Sequence, residues 1–135
     1  LIQRGVFNEE QTRFYIAELL LAIEEIHRFD VIYRDLKPEN ILLASDGHIK
    51  LADFGLAKEG VNDQGKTKSF CGSPAYLSPE MLSQKGTGKA SDIYGIGTVF
   101  YELLIGEPPY YSDDIPTMYK QIKEGTLKFP GKISD

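Results

Sequence analysis

Tyr33-Arg34-Asp35-Leu36-Lys37-Pro38-Glu39-Asn40-Ile41-Leu42-Leu43-Ala44-Ser45-Asp46-Gly47-His48-Ile49-Lys50-Leu51-Ala52-Asp53-Phe54-Gly55 is the stretch that decides the fold. Two short β-prone runs, 41–44 and 49–52, flank the turn signal Ser45-Asp46-Gly47-His48 and read as a hairpin. A short apolar run, Val31 to Tyr33, leads into it. Asp35 stands just after that run, Asn40 follows where the hairpin begins, and Asp53 stands where it ends. A hairpin folds its ends together, so Asn40 and Asp53 are predicted to project from neighbouring strand ends beside Asp35. Two carboxylates and an amide oxygen in one place are hard oxygen ligands. Such a set suits Mg²⁺, which keeps several waters and also takes substrate phosphates. Taken singly the pieces are weak: an Arg-Asp pair is most often a surface ion pair, and Asp-Phe-Gly or Asp46-Gly47 can be a plain turn.

Upstream, 9–28 reads as a long helix. Asn8 followed by Gln11 has capping-box spacing, and Phe14, Ala17 and Leu21 with Ile16, Leu20 and Ile23 make a broad apolar stripe. Downstream, 59–78 is rich in Gly, Lys, Ser and Thr with little periodicity, and a loop of that length inside a compact domain is usually functional or disordered. Ser78-Pro79 reads as an N-cap and first helical residue opening a short helix to Ser83. Ser91-Asp92 reads as the cap of a helix to Ile105, apolar enough to be buried on most sides, and a last helix spans 116–124. Few strands among four helices make an α+β, mostly helical architecture.

The 135 residues, 41% hydrophobic and 26% charged, have the composition of a soluble globular chain. A net charge of −5 argues against nucleic acid or an anionic membrane as the partner and leaves room for a basic substrate. Cys71 is the one cysteine, so an internal disulfide is excluded and a reducing, intracellular setting (cytoplasm, with the nucleus open) is the expectation. The apolar stretches 14–26 and 93–106 are broken by glutamates and fall short of the ~20 apolar residues of a membrane span. The chain opens on Leu1 rather than Met, which leaves any targeting signal an open question.

Asp, Asn five residues on, a hairpin ending in Asp-Phe-Gly, and Pro-Glu after a polar loop form an ordered set, and in that order they are the kinase signature. The chain resembles the C-terminal lobe of the bilobal protein-kinase fold, and among kinases the AGC group (relatives of the cyclic-nucleotide-dependent kinases and protein kinase C). Phe14-Tyr15-Ile16-Ala17-Glu18, Ser69-Phe70-Cys71-Gly72-Ser73-Pro74-Ala75-Tyr76-Leu77-Ser78-Pro79-Glu80 and Tyr101-Glu102-Leu103-Leu104-Ile105-Gly106-Glu107-Pro108-Pro109-Tyr110 carry the resemblance further. Tyr33, where most kinases carry His, points to the AGC group. The resemblance covers 1–135 as a partial catalytic domain.

The resemblance implies ATP-dependent phosphorylation of serine or threonine in protein substrates near basic residues, with ATP and Mg²⁺ as cofactors. It implies that Asp35 orients or accepts the substrate hydroxyl proton and that Lys37 steadies the transferring phosphoryl group. Lys37, Glu39, Asn40, Leu42 and Asp53 are then this chain's share of the ATP site, with Asn40 and Asp53 holding metal. Leu42 floors the adenine, and ordinary hairpin core is its compatible alternative. Ser69 is implied as the activation-loop phosphosite of an upstream kinase, with Arg34 and Lys58 as the cations that receive the phosphate; the alternative is one more loop serine. Glu39 and Glu102 are implied to receive substrate arginine, with solvated surface glutamates as the alternative. Phe70, Ser73, Pro74 and Leu77 complete the peptide site. Phe54, Gly55, Glu80 and Asp92 are structural, Asp92 tying the catalytic-loop backbone. Cys71 is read as an inert thiol, and His27 and His48 as ordinary.

Departures qualify this. Ala75 stands where AGC kinases usually have Glu, Ser78 replaces Ala before Pro-Glu, and Ile93-Tyr94-Gly95 replaces a Trp-containing stretch. The family's Gly-rich phosphate loop, strand lysine and partner glutamate helix, and the last helices of its lobe, are not found within 1–135, so the lobe reads as truncated at both ends. Whether the parent carries an intact ATP-binding lobe is an open question. In the family Glu80 pairs with a downstream arginine, whereas Arg4, Arg13, Arg28 and Arg34 all precede it. The 135-residue chain alone is therefore expected to be marginally stable and inactive. A pseudokinase or scaffold module and a calmodulin-dependent-type kinase are the competing readings; Tyr33 and Phe14-Tyr15 speak against the latter.

Overall fold

The computed structural model describes residues 6–130; Arg4 and both chain ends lie outside the described residues. Helix α1 spans Glu9–Arg28. Its capping box forms as the spacing predicts: the Asn8 side chain accepts the Gln11 N–H at 2.8 Å and the Gln11 side chain accepts the Asn8 N–H at 3.2 Å. Glu9 and Glu10 in the first turn and His27 and Arg28 in the last complement the helix dipole. The predicted stripe divides into two faces. Leu19 and Ile23 are buried, with Tyr15, Ile16 and Ile26 packed beside them, whereas Phe14, Leu20 and Leu21 are 48%, 44% and 64% exposed. Apolar residues on both faces make the broad pattern, and periodicity alone does not say which face meets the core.

The partner of α1 is α3, Lys89–Ile105, through Ile96, Val99 and Leu103. It begins two residues before the predicted cap. Gly88 is the N-cap, and Ser91 and Asp92 lie inside the first turn, buried, with their side chains turned to other elements. Its C-terminus is closed by Gly106 at φ 99°, the left-handed conformation that glycine adopts without a Cβ clash. The expectation of burial on most sides fails on one face, where Ile93 and Phe100 stand 50% and 41% exposed.

Strands β1 (Ile41–Leu43) and β2 (Ile49–Leu51) pair antiparallel with Ile41 opposite Leu51. The hairpin is where the sequence places it, and Ile41 is buried in the common core. The run 31–33 is not a strand; Ile32 makes an isolated bridge to Lys58 through two 2.9 Å backbone bonds. Short 3₁₀ turns occupy Pro38–Asn40 and Pro74–Tyr76. Helix α2, Pro79–Leu82, follows Ser78, whose side chain does not cap it but donates to the Ser91 hydroxyl at 3.2 Å. Helix α4, Ile115–Glu124, is capped by Asp114, which accepts the Thr117 N–H at 2.9 Å, and buries Met118 and Ile122. Among the described residues no helix is long and apolar enough to cross a membrane.

Candidate active site

Asp35 is buried where the segment after the Ile32 bridge meets the 3₁₀ turn before β1. Its Oδ2 accepts the Asn40 side-chain amide at 2.9 Å and pairs with Lys37 Nζ at 3.0 Å, while its Oδ1 accepts the Ser73 hydroxyl at 3.1 Å. Lys37 Nζ also donates to Ser73 Oγ at 3.0 Å, which closes a ring of three side chains. A carboxylate has about four lone-pair sites. Three are engaged here, which fixes the group and leaves one for an incoming hydroxyl. Ser73, assigned from sequence to the peptide site, is thus part of the Asp35–Lys37 constellation.

The loop that carries Asp35 is held from below by α3. Asp92 is 2% exposed and accepts three hydrogen bonds at 2.8 Å, from the Tyr33 N–H, the Arg34 N–H and His27 Nε2. The expected structural role of Asp92 has this geometry. His27, read as ordinary from sequence, is its third partner, a contact across 65 residues that spacing alone could not reveal. Arg34 sits at φ 69° and Asp53 at φ 56°, left-handed conformations uncommon for side-chain-bearing residues and concentrated at functional sites. The Tyr33 phenol donates to the Ala52 carbonyl, and its pKa is pushed up to about 12 by burial first and then by Asp35, with smaller contributions from Asp53 and Asp92.

Asn40 and Asp53 lie at the open end of the hairpin, where the Ala52 N–H donates to the Asn40 carbonyl at 2.9 Å. The Asn40 amide nitrogen is turned inward to the Asp35 carbonyl and carboxylate, so its amide oxygen is left as a donor toward a cation. Asp53 is exposed, and one oxygen accepts the Gly55 N–H at 3.1 Å. Among the described residues no three His, Cys, Asp or Glu side chains form a ready-made cage. An amide and a carboxylate are nevertheless a donor set that fits Mg²⁺, which binds through one or two carboxylates plus phosphates rather than an all-protein cage. Phe54 packs edge-on against Tyr33 at 5.2 Å, and Leu42 on β1 is 52% exposed.

This geometry coincides with a family match: residues 1–134 match the protein kinase domain family. The chain belongs to the protein kinase family. It is 52% identical over 130 residues (96% of this chain, 19% of the relative) to the serine/threonine-protein kinase YPK1 of Saccharomyces cerevisiae. It is 48% identical to the serine/threonine-protein kinase akt-1 of Caenorhabditis elegans (96% and 24%). Against the human RAC-beta serine/threonine-protein kinase it is 46% identical over 134 residues (99% and 28%). These relatives bear out the resemblance to serine/threonine kinases of the AGC group. This kinase chain spans less than a third of the length of each of these relatives.

The remaining residues singled out in this kinase chain are not all drawn together. Arg34 Nε donates to the Leu56 carbonyl at 2.6 Å, while its Nη1 is buried without a partner. Ser69 is exposed and its N–H donates to Thr67 Oγ1 at 3.4 Å; among the described residues no hydrogen bond joins it to Arg34 or Lys58. Phe70, Pro74 and Leu77 do not form one open pocket. Leu77 is 2% exposed, and Phe70 instead lines a small groove with Thr67, Met81 and Gln84. Glu39 is exposed. Glu102 accepts the Tyr76 hydroxyl at 2.5 Å, a contact with no sequence signal. Burial holds the Glu102 carboxyl above the usual range, partly offset by that bond. Burial, followed by Glu102, pushes the Tyr76 phenol far up. Glu80, expected to lack a partner, is half-buried and accepts the Ser91 hydroxyl at 2.8 Å, so its isolation is less severe than expected.

Proposed function

We propose that this chain is the C-terminal, catalytic half of a protein kinase that transfers the γ-phosphoryl group of ATP to serine or threonine. The observation that carries the proposal is the Asp35 carboxylate, clamped by Asn40, Lys37 and Ser73 with one acceptor site free. Phosphoryl transfer asks for positioning and charge neutralisation more than covalent chemistry. In this reading Asp35 holds the substrate hydroxyl and takes its proton, and Lys37 faces the negative charge that spreads over the moving phosphoryl group. Asn40 and Asp53 would hold Mg²⁺, which supplies charge neutralisation at the phosphates, and exposed Leu42 would meet the adenine. Glu39 and Glu102 would receive basic residues of the substrate. Burial chiefly raises the Glu102 carboxyl, and Glu39 adds a smaller repulsion, which supports a shared acidic subsite.

Ser69 in this reading is phosphorylated by an upstream kinase, and the unpartnered Arg34 Nη1 is the donor held in reserve for it, with Lys58 second. An intracellular setting belongs to the same proposal, as does inactivity of the 135-residue chain without the rest of its protein. The test is Asp35→Asn in the intact protein, with Mg-ATP and a serine peptide bearing upstream arginines. The variant is expected to lose ~10²–10⁴ in kcat with little change in KM for ATP. Equal turnover by Asp35→Asn and wild type would sink the kinase reading in favour of a scaffold.

A further inference from the structure

The hairpin that carries Asn40 and Asp53 has strands of three residues each, too little for a two-stranded sheet to hold its shape alone. Its closed end is secured by more than sheet pairing. Hydrogen-bonded pairs alternate along the ladder: the Ala44 N–H donates to the His48 carbonyl and the Ala52 N–H to the Asn40 carbonyl. Leu43 and Ile49, opposite one another, therefore form a non-hydrogen-bonded pair, and the Ile49 N–H faces away from β1. Glu18 on α1 meets it. One Glu18 oxygen accepts the Ile49 N–H at 2.9 Å, and the other is bonded to His48 Nδ1. The His48 ring lies beside Phe14, with centroids 6.0 Å apart. Its backbone N–H donates to Asp46 at 3.1 Å. Neighbouring Leu19 is buried in the core, so the carboxylate is presented from a fixed helix.

We propose that Glu18 is a positioning residue, a latch from α1 to the hairpin that sets Asn40 and Asp53, and that protonated His48 tightens it. The proposal rests on the kinase reading of the Asn40–Asp53 end. Three residues at about 3.3 Å each put the latch roughly 10 Å from that end, so it acts through the strands and touches no substrate. The charged groups acting on His48 are Glu18 of α1 and Asp46 of its own turn, and both favour the imidazolium. The Ile49 N–H, then His48, hold Glu18 below its usual range. A raised histidine gives its contribution fully below the ordinary value of about 6.5 and loses it as pH rises through the folded value. A lowered carboxyl gives its contribution above about 4.3 and loses it as pH falls through its folded value. The latch is strongest between those limits and slackens as pH rises through the raised histidine value.

The experiment uses the intact protein and two readouts. The first is the NMR titration of the His48 ring, assigned by His48→Gln. The second is Mg-ATP affinity, measured directly between pH 6 and 8.5 in wild type, Glu18→Gln and His48→Gln. Wild-type His48 is expected to titrate above the ordinary histidine range and to return to it in Glu18→Gln. Wild-type affinity is expected to weaken on the order of twofold to fivefold across that titration, with both variants flat. His48→Gln keeps the Glu18–Ile49 bond, so it remains informative if Glu18→Gln folds poorly. An ordinary His48 titration in wild type overturns the latch. A shifted titration with superposable affinity profiles overturns the positioning role. Failure of the kinase reading looks different, since no Mg-ATP would bind at any pH; it would remove the positioning role while the His48 shift persisted.

Discussion

Asp92 shows how one side chain on a helix can set a loop that a sequence motif only names. Its carboxylate terminates the Tyr33 and Arg34 N–H groups and the His27 ring from a site 2% exposed. Removing it strands two backbone donors at a cost of about 1–3 kcal/mol each. Asp92→Ala is therefore expected to destabilise the intact protein by roughly 2–6 kcal/mol in denaturant unfolding, with Asp92→Asn milder because one acceptor oxygen remains. An Ala variant as stable as wild type would show that the loop is held otherwise. Glu102 makes the second argument at this scale. Its pKa is raised, chiefly by burial, so its charge disappears as pH falls at a higher pH than for an ordinary glutamate near 4.3. KM for an arginine-bearing peptide is therefore expected to climb as pH drops through that raised value. Glu102→Gln should remove both the climb and the arginine preference. A wild-type profile identical with that of Glu102→Gln would exclude Glu102 as the arginine receptor.

At the scale of elements, local signals were legible and long-range uses were not. The capping box at Asn8 and the Asp46-Gly47 turn are chemistry within a few residues, and the structure has both where the sequence puts them. Ser91-Asp92 misled because serine and aspartate cap helices by preference. Here both are drawn inside the first turn by partners far along the chain. Asp35, Asn40 and Asp53 could be grouped from a hairpin argument; the inclusion of Ser73 could not, since it arrives from a loop 38 residues on. That arrival depends on Gly72. At φ 114° its backbone is left-handed, and a Cβ there would stand 2.9 Å from the Arg34 carbonyl oxygen. Gly72→Ala must push the Ser73 segment off the Asp35 loop. We expect kcat to fall on the order of tenfold to a hundredfold in the intact protein, because misplacing a positioning group by about 1 Å costs that much. Melting is expected to drop modestly. An unchanged kcat would mean that Ser73 does not help to set Asp35.

The whole molecule has a well-filled seam between α1 and α3 and an uncovered face beside it. Leu20 and Leu21 on α1 line a groove with Ile93 on α3, and Phe14, Phe29 and Phe100 add further exposed apolar surface. Grouped apolar exposure of this kind marks a protein, membrane or ligand contact surface, or a liability to aggregate. The rim carries Lys89 paired with Asp30 at 2.9 Å and with Asp63 at 2.6 Å; exposed pairs of that sort add little to stability. The buried core must stabilise the chain against the entropy of ordering it, and large apolar side chains that stay wet contribute nothing to that balance. The Ser91 hydroxyl relieves Glu80, so the expected weakness of the chain rests on this uncovered surface rather than on one orphaned charge. The isolated 135-residue chain is therefore expected to bind an apolar dye and to unfold broadly. Its midpoint should fall below ~50 °C, toward the low end for mesophilic domains. Leu21→Glu should lower dye binding in the isolated chain without lowering that midpoint, since Leu21 is 64% exposed. A sharp, cooperative transition above ~50 °C with no dye binding would mean that the α1–α3 seam suffices, and that the exposed face serves a partner rather than completing the fold.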